Sequence, residues 1–270
     1  MSARAVVIGG GIVGCGAALA LVRKGWRVTV VERLPSVGLG STASSSTVIR
    51  CHYTRPEAIR LALEGRMVWE RWAKYLKTES PKAIYRDIGV LFLMRRGKTS
   101  GAGQESLGMK AEMDDHAIDA RVQMMEYAGV DVDLLTARKL RRKFPDFSFP
   151  EDDIVGVWEP DSGYVAHATE AVEDLRDAAL REGVAFRYET EVVGGETCWE
   201  KGVRRLNGVH CRDASGAFHT LPADAVVNCA GPHSSQVNVA LACPLPLATV
   251  PQRQIVLEGT WANPTPLPAM

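Results

Sequence analysis

The feature that most constrains this chain is a glycine-rich turn close to its N-terminus. Residues 5–8 are apolar and mostly β-branched, as expected for a buried parallel strand. They lead into Gly9, Gly11 and Gly14, which have the spacing G-x-G-x-x-G. Residues 12–24 then follow a helical pattern. The opening segment therefore predicts a strand, a tight turn and a helix.

The chain then returns as a second strand pattern over residues 27–31, which ends at Glu32. A strand, helix and strand within about thirty residues are typical of a βαβ unit. Glycines in such a turn let backbone amides approach a pyrophosphate, and the positive end of the helix favours the phosphate charge. An acid at Glu32 is positioned to accept hydrogen bonds from a ribose hydroxyl, and it disfavours NADP. The alternative is a glycine-rich turn that binds no nucleotide.

Composition narrows the class of protein. The 270 residues carry 32 basic and 32 acidic side chains, and 46% of the residues are hydrophobic. This balance predicts a soluble globular protein without a nucleic-acid partner. The apolar N-terminal run is interrupted by glycines, so we expect neither a signal peptide nor stable membrane insertion. Six scattered cysteines without a C-x-x-C pair predict reduced thiols, a cytoplasmic location and no metal site.

The remaining chain alternates helical and strand-like segments. Helical patterns cover residues 56–77, 109–127, 136–143 and 168–181. Strand patterns cover residues 88–94, 154–158, 184–188, 191–199, 203–212, 225–229 and 252–257. The strands at 191–199 and 203–212 are expected to form a meander, and residues 38–47 and 98–108 are expected to form loops.

The order of these elements predicts an α/β fold with two domains. Residues 1–78 and 155–245 are assigned to a discontinuous, Rossmann-like dinucleotide-binding domain. Residues 79–154 and 246–270 are assigned to an inserted, mixed α+β substrate domain that is incomplete.

The chain resembles the D-amino acid oxidase/sarcosine oxidase family of flavoproteins, especially the sarcosine- and dimethylglycine-oxidising branches. After the first βαβ unit, an NAD dehydrogenase would continue with regular βαβ units, whereas here a hydroxyl-rich loop and a long helix follow. The resemblance is carried, in family order, by residues 7–14, 30–33, 40–42, 48–53, 160–165, 226–234 and 251–254.

The resemblance implies that FAD lies extended across the nucleotide domain. The residues it assigns to the cofactor are Gly9, Gly11, Ile12, Val13, Gly14, Glu32, Arg33, Ser41, Thr42, Thr47, Val192, Ala230, Gly231 and His233. Ala230 and Gly231 would form a second backbone approach at the end of a parallel strand. Thr47 stands where some relatives have an arginine near the flavin.

The resemblance also implies a substrate site at Arg50, His52 and Tyr53. An amino-acid-like substrate carries a carboxylate, and Arg50 matches the position of a carboxylate-binding arginine in sarcosine-oxidising relatives. His52 and Tyr53 are candidates to shape the amine site or to accept a proton. The alternatives are a surface arginine for Arg50, a solvated histidine for His52 and a packed aromatic ring for Tyr53.

The function that this resemblance implies is FAD-dependent oxidation of a small amine or amino acid of the sarcosine, dimethylglycine or D-amino acid type. Oxygen or an electron-transfer acceptor would take up the electrons. Full-length relatives continue well beyond the segment at 251–254, so we expect a fragment, a truncated product, or a chain completed by a partner that supplies the C-terminal part. A non-catalytic chain or subunit and an NAD-dependent dehydrogenase are rival readings of the same sequence.

Overall fold

The computed structural model of the chain describes residues 2–96 and 115–251. Contacts between Cα atoms divide these residues into two units. Unit 1 contains residues 2–46, 73–83 and 167–251, and unit 2 contains residues 47–72, 84–96 and 115–166.

The described residues form thirteen strands and seven α-helices. The strands are β1 (Arg4–Ile8), β2 (Arg27–Val31), β3 (Val48–Ile49), β4 (Ile84–Arg86), β5 (Val90–Arg95), β6 (Asp133–Thr136), β7 (Ile154–Glu159), β8 (Gly163–Ala166), β9 (Ala185–Arg187), β10 (Thr190–Glu200), β11 (Val203–Asp213), β12 (Phe218–Pro222) and β13 (Ala225–Asn228). The helices are α1 (Ile12–Arg23), α2 (Pro56–Glu70), α3 (Trp72–Leu76), α4 (Asp115–Tyr127), α5 (Ala137–Lys143), α6 (Ala168–Arg181) and α7 (Ser234–Ala240).

Unit 1 is built on a parallel sheet with the strand order β13-β1-β2-β9. Val7, at the centre of β1, is fully buried and lies in register with Val30 on one side and Val227 on the other. Helices α1 and α6 pack against each other, and α1 also contacts β1 and β2. This arrangement confirms the predicted Rossmann-like α/β fold.

A second sheet in unit 1 is an antiparallel meander of β10, β11 and β12. The meander predicted from residues 191–199 and 203–212 is therefore confirmed, and β12 extends it. Val192 and Val209 on this sheet are buried in one core with Val6, Ile8 and Val31 of the parallel sheet. The core therefore joins the two sheets of unit 1.

Unit 2 contains two antiparallel sheets, with the strand orders β3-β8-β4 and β5-β7-β6. Its core includes Ile118 and Met125 from α4, Ile59 from α2 and Val157 from β7, all with no exposed surface. These apolar side chains account for the helical patterns that the sequence shows in this region.

Several boundaries differ from the sequence-based expectation. The helix predicted over residues 56–77 ends at Glu70, because Arg71 has φ −120°, outside the helical range, and α3 then starts at Trp72. Residues 47–72 and 155–166, expected in the FAD-binding domain, lie in unit 2, since β7 and β8 pair with strands of that unit. The assignment of domains by function stays a prediction.

Three sequence-based expectations lie outside the described residues. They are the loop at 98–108, the first part of the helix predicted over 109–127, and the strand predicted over 252–257. Across residues 2–96 and 115–251, no helix combines the length and the apolar character needed to cross a membrane.

Candidate cofactor and substrate sites

The turn between β1 and α1 brings backbone atoms too close together for side chains. Gly9 has φ +105°, a conformation that residues with a Cβ atom rarely adopt. A Cβ atom at Gly9 would lie 2.5 Å from the carbonyl oxygen of Cys229, and one at Gly14 would lie 1.8 Å from the carbonyl oxygen of Gly9. The first and third glycines of the motif are therefore required by the packing of β1, α1 and the end of β13.

Glu32, at the end of β2, holds its carboxylate against this turn. One carboxylate oxygen accepts a hydrogen bond of 2.6 Å from the amide of Gly10, and the other accepts one of 2.8 Å from the amide of Leu34. A carboxylate has about four acceptor positions, so both oxygens retain capacity for further donors. The hydroxyl groups of a ribose are donors that such a carboxylate can bind.

The N-terminus of α1 presents amides that the helix itself does not use. The first amides of any helix have no intrahelical acceptor, and here the amide of Ile12 donates to the hydroxyl of Thr42 at 3.2 Å. The first turn has no acidic residue, the side chain of Val13 is 67% exposed, and Ser41 is exposed beside Thr42. Exposed amides at a helix start attract anionic groups such as phosphate.

The end of β13 adds a second backbone approach in unit 1. The strand passes through Ala230 into a short 3-10 turn, Gly231–His233, in which Gly231 has φ +55° and is exposed. Arg33, which follows Glu32, donates to Nε2 of His233 at 2.8 Å, so the Nδ1 of His233 carries the proton that faces Gln236. The C-terminal edges of β1, β2 and β13 thus converge, as in dinucleotide-binding sheets.

These residues fit a dinucleotide. The donors are backbone amides and the cation of Arg33, which suit a pyrophosphate, and the acceptor is Glu32, which suits a ribose and repels a 2′-phosphate. Two of the expected cofactor residues lie elsewhere. Thr47 belongs to unit 2, where its hydroxyl donates to the carbonyl of Val165, and the side chain of Val192 is part of the core. Their role at the cofactor stays a prediction.

The substrate residues expected from the sequence lie together in unit 2. Arg50 follows β3, and its guanidinium group lies 4.5 Å from the ring centre of Tyr53 and 5.3 Å from that of Phe92. One of its terminal nitrogens donates to the backbone carbonyl of His52. Such cation–π contacts hold the guanidinium group in place without neutralising its charge. Within the described part of the chain, no carboxylate forms an ion pair with Arg50.

His52 is buried, with 7% of its surface exposed, and its ring stacks on Phe92 at 4.3 Å. Its Nε2 lies 3.0 Å from a terminal nitrogen of Arg121. Burial, and then the charges of Arg121 and Arg50, lower the pKa of His52 from 6.5 to about 4. A neutral imidazole is therefore the stable form near neutral pH, and the ring is not a solvated histidine. Tyr53, by contrast, is exposed.

Two residues of this cluster were missed by sequence reasoning. Glu159, fully buried at the end of β7, accepts hydrogen bonds from the amide of Cys51 at 2.7 Å and the hydroxyl of Ser162 at 2.6 Å. Burial raises its pKa, against these hydrogen bonds. The hydrogen bond from Cys51 to Glu159 links the backbone next to Arg50 to the end of β7. Arg121 lies on α4, and nothing in its sequence context distinguishes it from the other charged residues of that helix. Glu159 could have been identified from the sequence, because it is an acidic residue at the end of an apolar strand pattern.

The buried neutral state of His52 predicts a pH-dependent stability. The unfolded chain binds a proton near pH 6.5, whereas the folded chain resists protonation down to about pH 4. The contribution of His52 to the free energy of unfolding is therefore complete above pH 6.5. It decreases by about 3 kcal/mol as the pH falls toward 4. We expect His52→Gln to flatten the fall in unfolding free energy measured by urea titration between pH 7 and pH 4.5. His116→Gln, an exposed histidine on α4, is the control. An equal slope in wild type and His52→Gln would contradict the assignment.

A parallel sheet with a glycine turn, an acid at the end of β2 and amides without an intrahelical acceptor at the start of α1 defines a Rossmann-type dinucleotide-binding protein. Comparison with known proteins narrows this class. The family model described as FAD dependent oxidoreductase matches residues 4–269, and the chain belongs to this family. The cofactor of the family is FAD, which answers the choice between FAD and NAD in favour of FAD.

The relatives include enzymes that act on amino acids. Human peroxisomal sarcosine oxidase is 26% identical over 248 residues, which cover 91% of this chain and 55% of that protein. The D-amino acid dehydrogenase of Methylobacterium nodulans is 25% identical over 298 residues, covering 98% of this chain and 69% of the dehydrogenase. Among solved structures, L-proline dehydrogenase from P. horikoshii is similar with a TM-score of 0.68 at 23% identity, over 88% of this chain and 55% of that one.

The chain spans little more than half the length of several of these relatives. The human relative is peroxisomal, which differs from the cytoplasmic location expected for this chain. The cytoplasmic location stays a prediction. The partner chain expected from the length of the relatives also stays a prediction.

Proposed function

We propose that this protein is an FAD-dependent oxidoreductase that oxidises the carbon–nitrogen bond of a small amine bearing a carboxylate. Membership of the family supports the cofactor and the general reaction. The sarcosine- and D-amino acid-oxidising relatives support an amino-acid-type substrate. The single observation that carries the substrate class is Arg50, a guanidinium group held between aromatic rings with no carboxylate partner among the described residues.

On the cofactor side, Glu32 would accept hydrogen bonds from the ribose of the adenosine. The amides at the start of α1 would hold the pyrophosphate, with Arg33 as a nearby cation. Ala230 and Gly231 would offer the second backbone approach along the cofactor. The FAD, when bound, supplies the acceptor for the hydride equivalent that leaves the substrate carbon.

On the substrate side, Arg50 would bind the carboxylate and fix the orientation of the carbon beside the amine. One terminal nitrogen is committed to the carbonyl of His52, which leaves other N–H groups of the fork for a ligand. The rings of Tyr53 and Phe92 limit the movement of the guanidinium group, so that less conformational entropy is lost on binding. The neutral ring of His52 adds no positive charge that would repel an ammonium group.

Sarcosine, dimethylglycine and small D-amino acids are the leading substrates of this proposal, and oxygen or an electron-transfer protein would reoxidise the cofactor. These choices rest on the relatives, since one fold supports many substrates. The rival is a chain that binds FAD without turning over an amine.

The proposal predicts a yellow protein whose flavin absorbance is bleached by the right amine in the absence of oxygen. Purified protein, together with any coding sequence that continues past Met270, would be mixed anaerobically with sarcosine, dimethylglycine, D-alanine and L-proline. Dimethylamine, which is sarcosine without its carboxylate, is the matched control. We expect bleaching by at least one carboxylated amine and none by dimethylamine. A flavin that no amine reduces would support the non-catalytic rival, and folded protein that refuses flavin would overturn the proposal.

A further inference from the structure

Two guanidinium groups converge on one buried residue in unit 2. Arg50 donates to the backbone carbonyl of His52, and Arg121 donates to Nε2 of the same residue at 3.0 Å. Burial lowers the pKa of Arg121, and the charge of Arg50 lowers it further. Two guanidinium cations that contact the same residue repel each other and destabilise the folded chain unless an anion lies between or beside them.

The described residues provide one acid beside this pair of cations, and it forms an ion pair with neither of them. On α4, the neighbouring acid Asp119 is paired with Arg96 at 3.1 Å, and none of the ion pairs within residues 2–96 and 115–251 involves Arg50 or Arg121. Glu159 is the nearby acid that interacts electrostatically with Arg50, and burial raises its pKa. One of its carboxylate oxygens accepts hydrogen bonds from Cys51 and Ser162, and the other is buried without a hydrogen-bond partner among the described residues. The pair of arginines therefore has an excess of positive charge.

His52 adds no negative charge to this pair of arginines. A guanidinium group only donates, so Nε2 of His52 accepts from Arg121 and the neutral ring carries its proton on Nδ1. This Nδ1 atom is buried and has no hydrogen-bond partner in the part of the chain that the structure describes. The ring is therefore neutral and leaves the positive charge of both arginines uncompensated.

We propose that this site binds a substrate with two anionic groups, the first carboxylate on Arg50 and the second on Arg121. This inference rests on the proposed function and deepens it, because it selects dicarboxylic amines, such as N-carboxymethyl amino acids or acidic D-amino acids, over the monocarboxylic ones. A second carboxylate would neutralise the charge of Arg121, which has no ion-pair partner among the described residues.

Matched substrate pairs test the inference. Iminodiacetate is sarcosine with one added carboxylate, and D-aspartate is D-alanine with one added carboxylate. We expect each dicarboxylate to be used with kcat/KM about tenfold or more above its monocarboxylic partner, the gain of one charged hydrogen-bonded contact. In Arg121→Gln this ratio should fall toward one, Arg121→Lys should restore part of it, and Arg142→Gln, an exposed arginine on α5, should leave it unchanged.

A binding measurement separates this inference from the proposed function. Thermal unfolding would be followed with succinate and with butyrate, which differ by one carboxylate and are not oxidised. Stabilisation of wild type by succinate beyond butyrate, absent in Arg121→Gln, supports the two-anion site even if no amine bleaches the flavin, an outcome that would remove only the proposed reaction. If amines bleach the flavin but dicarboxylates are neither preferred nor bound more tightly, the two-anion site is overturned and the oxidoreductase stands.

Discussion

Gly14→Ala is expected to abolish flavin binding and to lower the free energy of unfolding by about 3 kcal/mol or more. A Cβ atom at this position would lie 1.8 Å from the carbonyl oxygen of Gly9 and 3.0 Å from its carbonyl carbon. Both are backbone atoms of the turn, so the collision is relieved only if α1 moves away from β1. That movement would separate the amides of the helix start from Glu32 and the end of β13. Flavin content per chain and the thermal unfolding midpoint measure the two effects.

Gly16→Ala, two residues further along α1, is the matched control. A Cβ atom there meets nothing within 4 Å, and alanine is the better helix former by about 1 kcal/mol. We therefore expect this variant to keep its flavin and to be at least as stable as wild type. Wild-type flavin content in Gly14→Ala would show that the turn does not hold the cofactor.

Substitution of a second glycine, Gly11, should weaken cofactor binding without preventing folding. A Cβ atom at Gly11 would meet the hydroxyl of Thr42 at 3.2 Å, a side-chain atom that can rotate away. Gly11→Ala should therefore fold, yet its methyl group would stand where a pyrophosphate approaches the amides. We expect its FAD dissociation constant to rise about tenfold or more, the equivalent of about 1.4 kcal/mol, with a small change in thermal midpoint.

The sequence predicted the cofactor half of the molecule better than the substrate half. The signals of the βαβ unit are local: a glycine triad, an acid at residue 32 and two apolar strands separated by one helix. The strand at 225–229 was also predicted, and in the structure β13 lies beside β1. Local chemistry determines these elements, because a tight turn with φ +105° requires glycine whatever surrounds it.

The substrate half depends on contacts that no local pattern reveals. Two-residue strands such as β3 exist only because β8 offers a pairing edge, so propensity could not predict them. The helical pattern of residues 56–77 continues through Arg71, but in the structure Arg71 leaves the helical φ range and the buried Trp72 begins α3. Arg121 looked like one more charged residue on an amphipathic helix, and only the fold brings it to His52. Residues whose role arises from long-range contacts therefore have to be found in the structure.

Arg50→Lys is expected to lower kcat/KM for the carboxylated substrate by about 10²-fold, the equivalent of about 3 kcal/mol, mainly through KM. Lysine keeps the charge but loses the planar fork, its contact with the ring of Tyr53 and the hydrogen bond to the carbonyl of His52. All of these contacts lie within unit 2, whereas the glycine turn and Glu32 lie in unit 1. We therefore expect flavin content to remain at the wild-type level, measured by absorbance after denaturation.

The carboxylate itself provides the control for this prediction. If Arg50 binds that group, dimethylamine, which lacks it, should be an equally poor substrate for wild type and for Arg50→Lys. The value of kcat/KM for sarcosine, by contrast, should fall by the full factor of about 10² in the variant. Arg50→Gln, which removes the charge, should be weaker still than Arg50→Lys, since the remaining amide forms neither an ion pair nor a bidentate contact. An unchanged KM in both variants would assign Arg50 to the packing of Tyr53 and Phe92 and would move the carboxylate site elsewhere in the molecule.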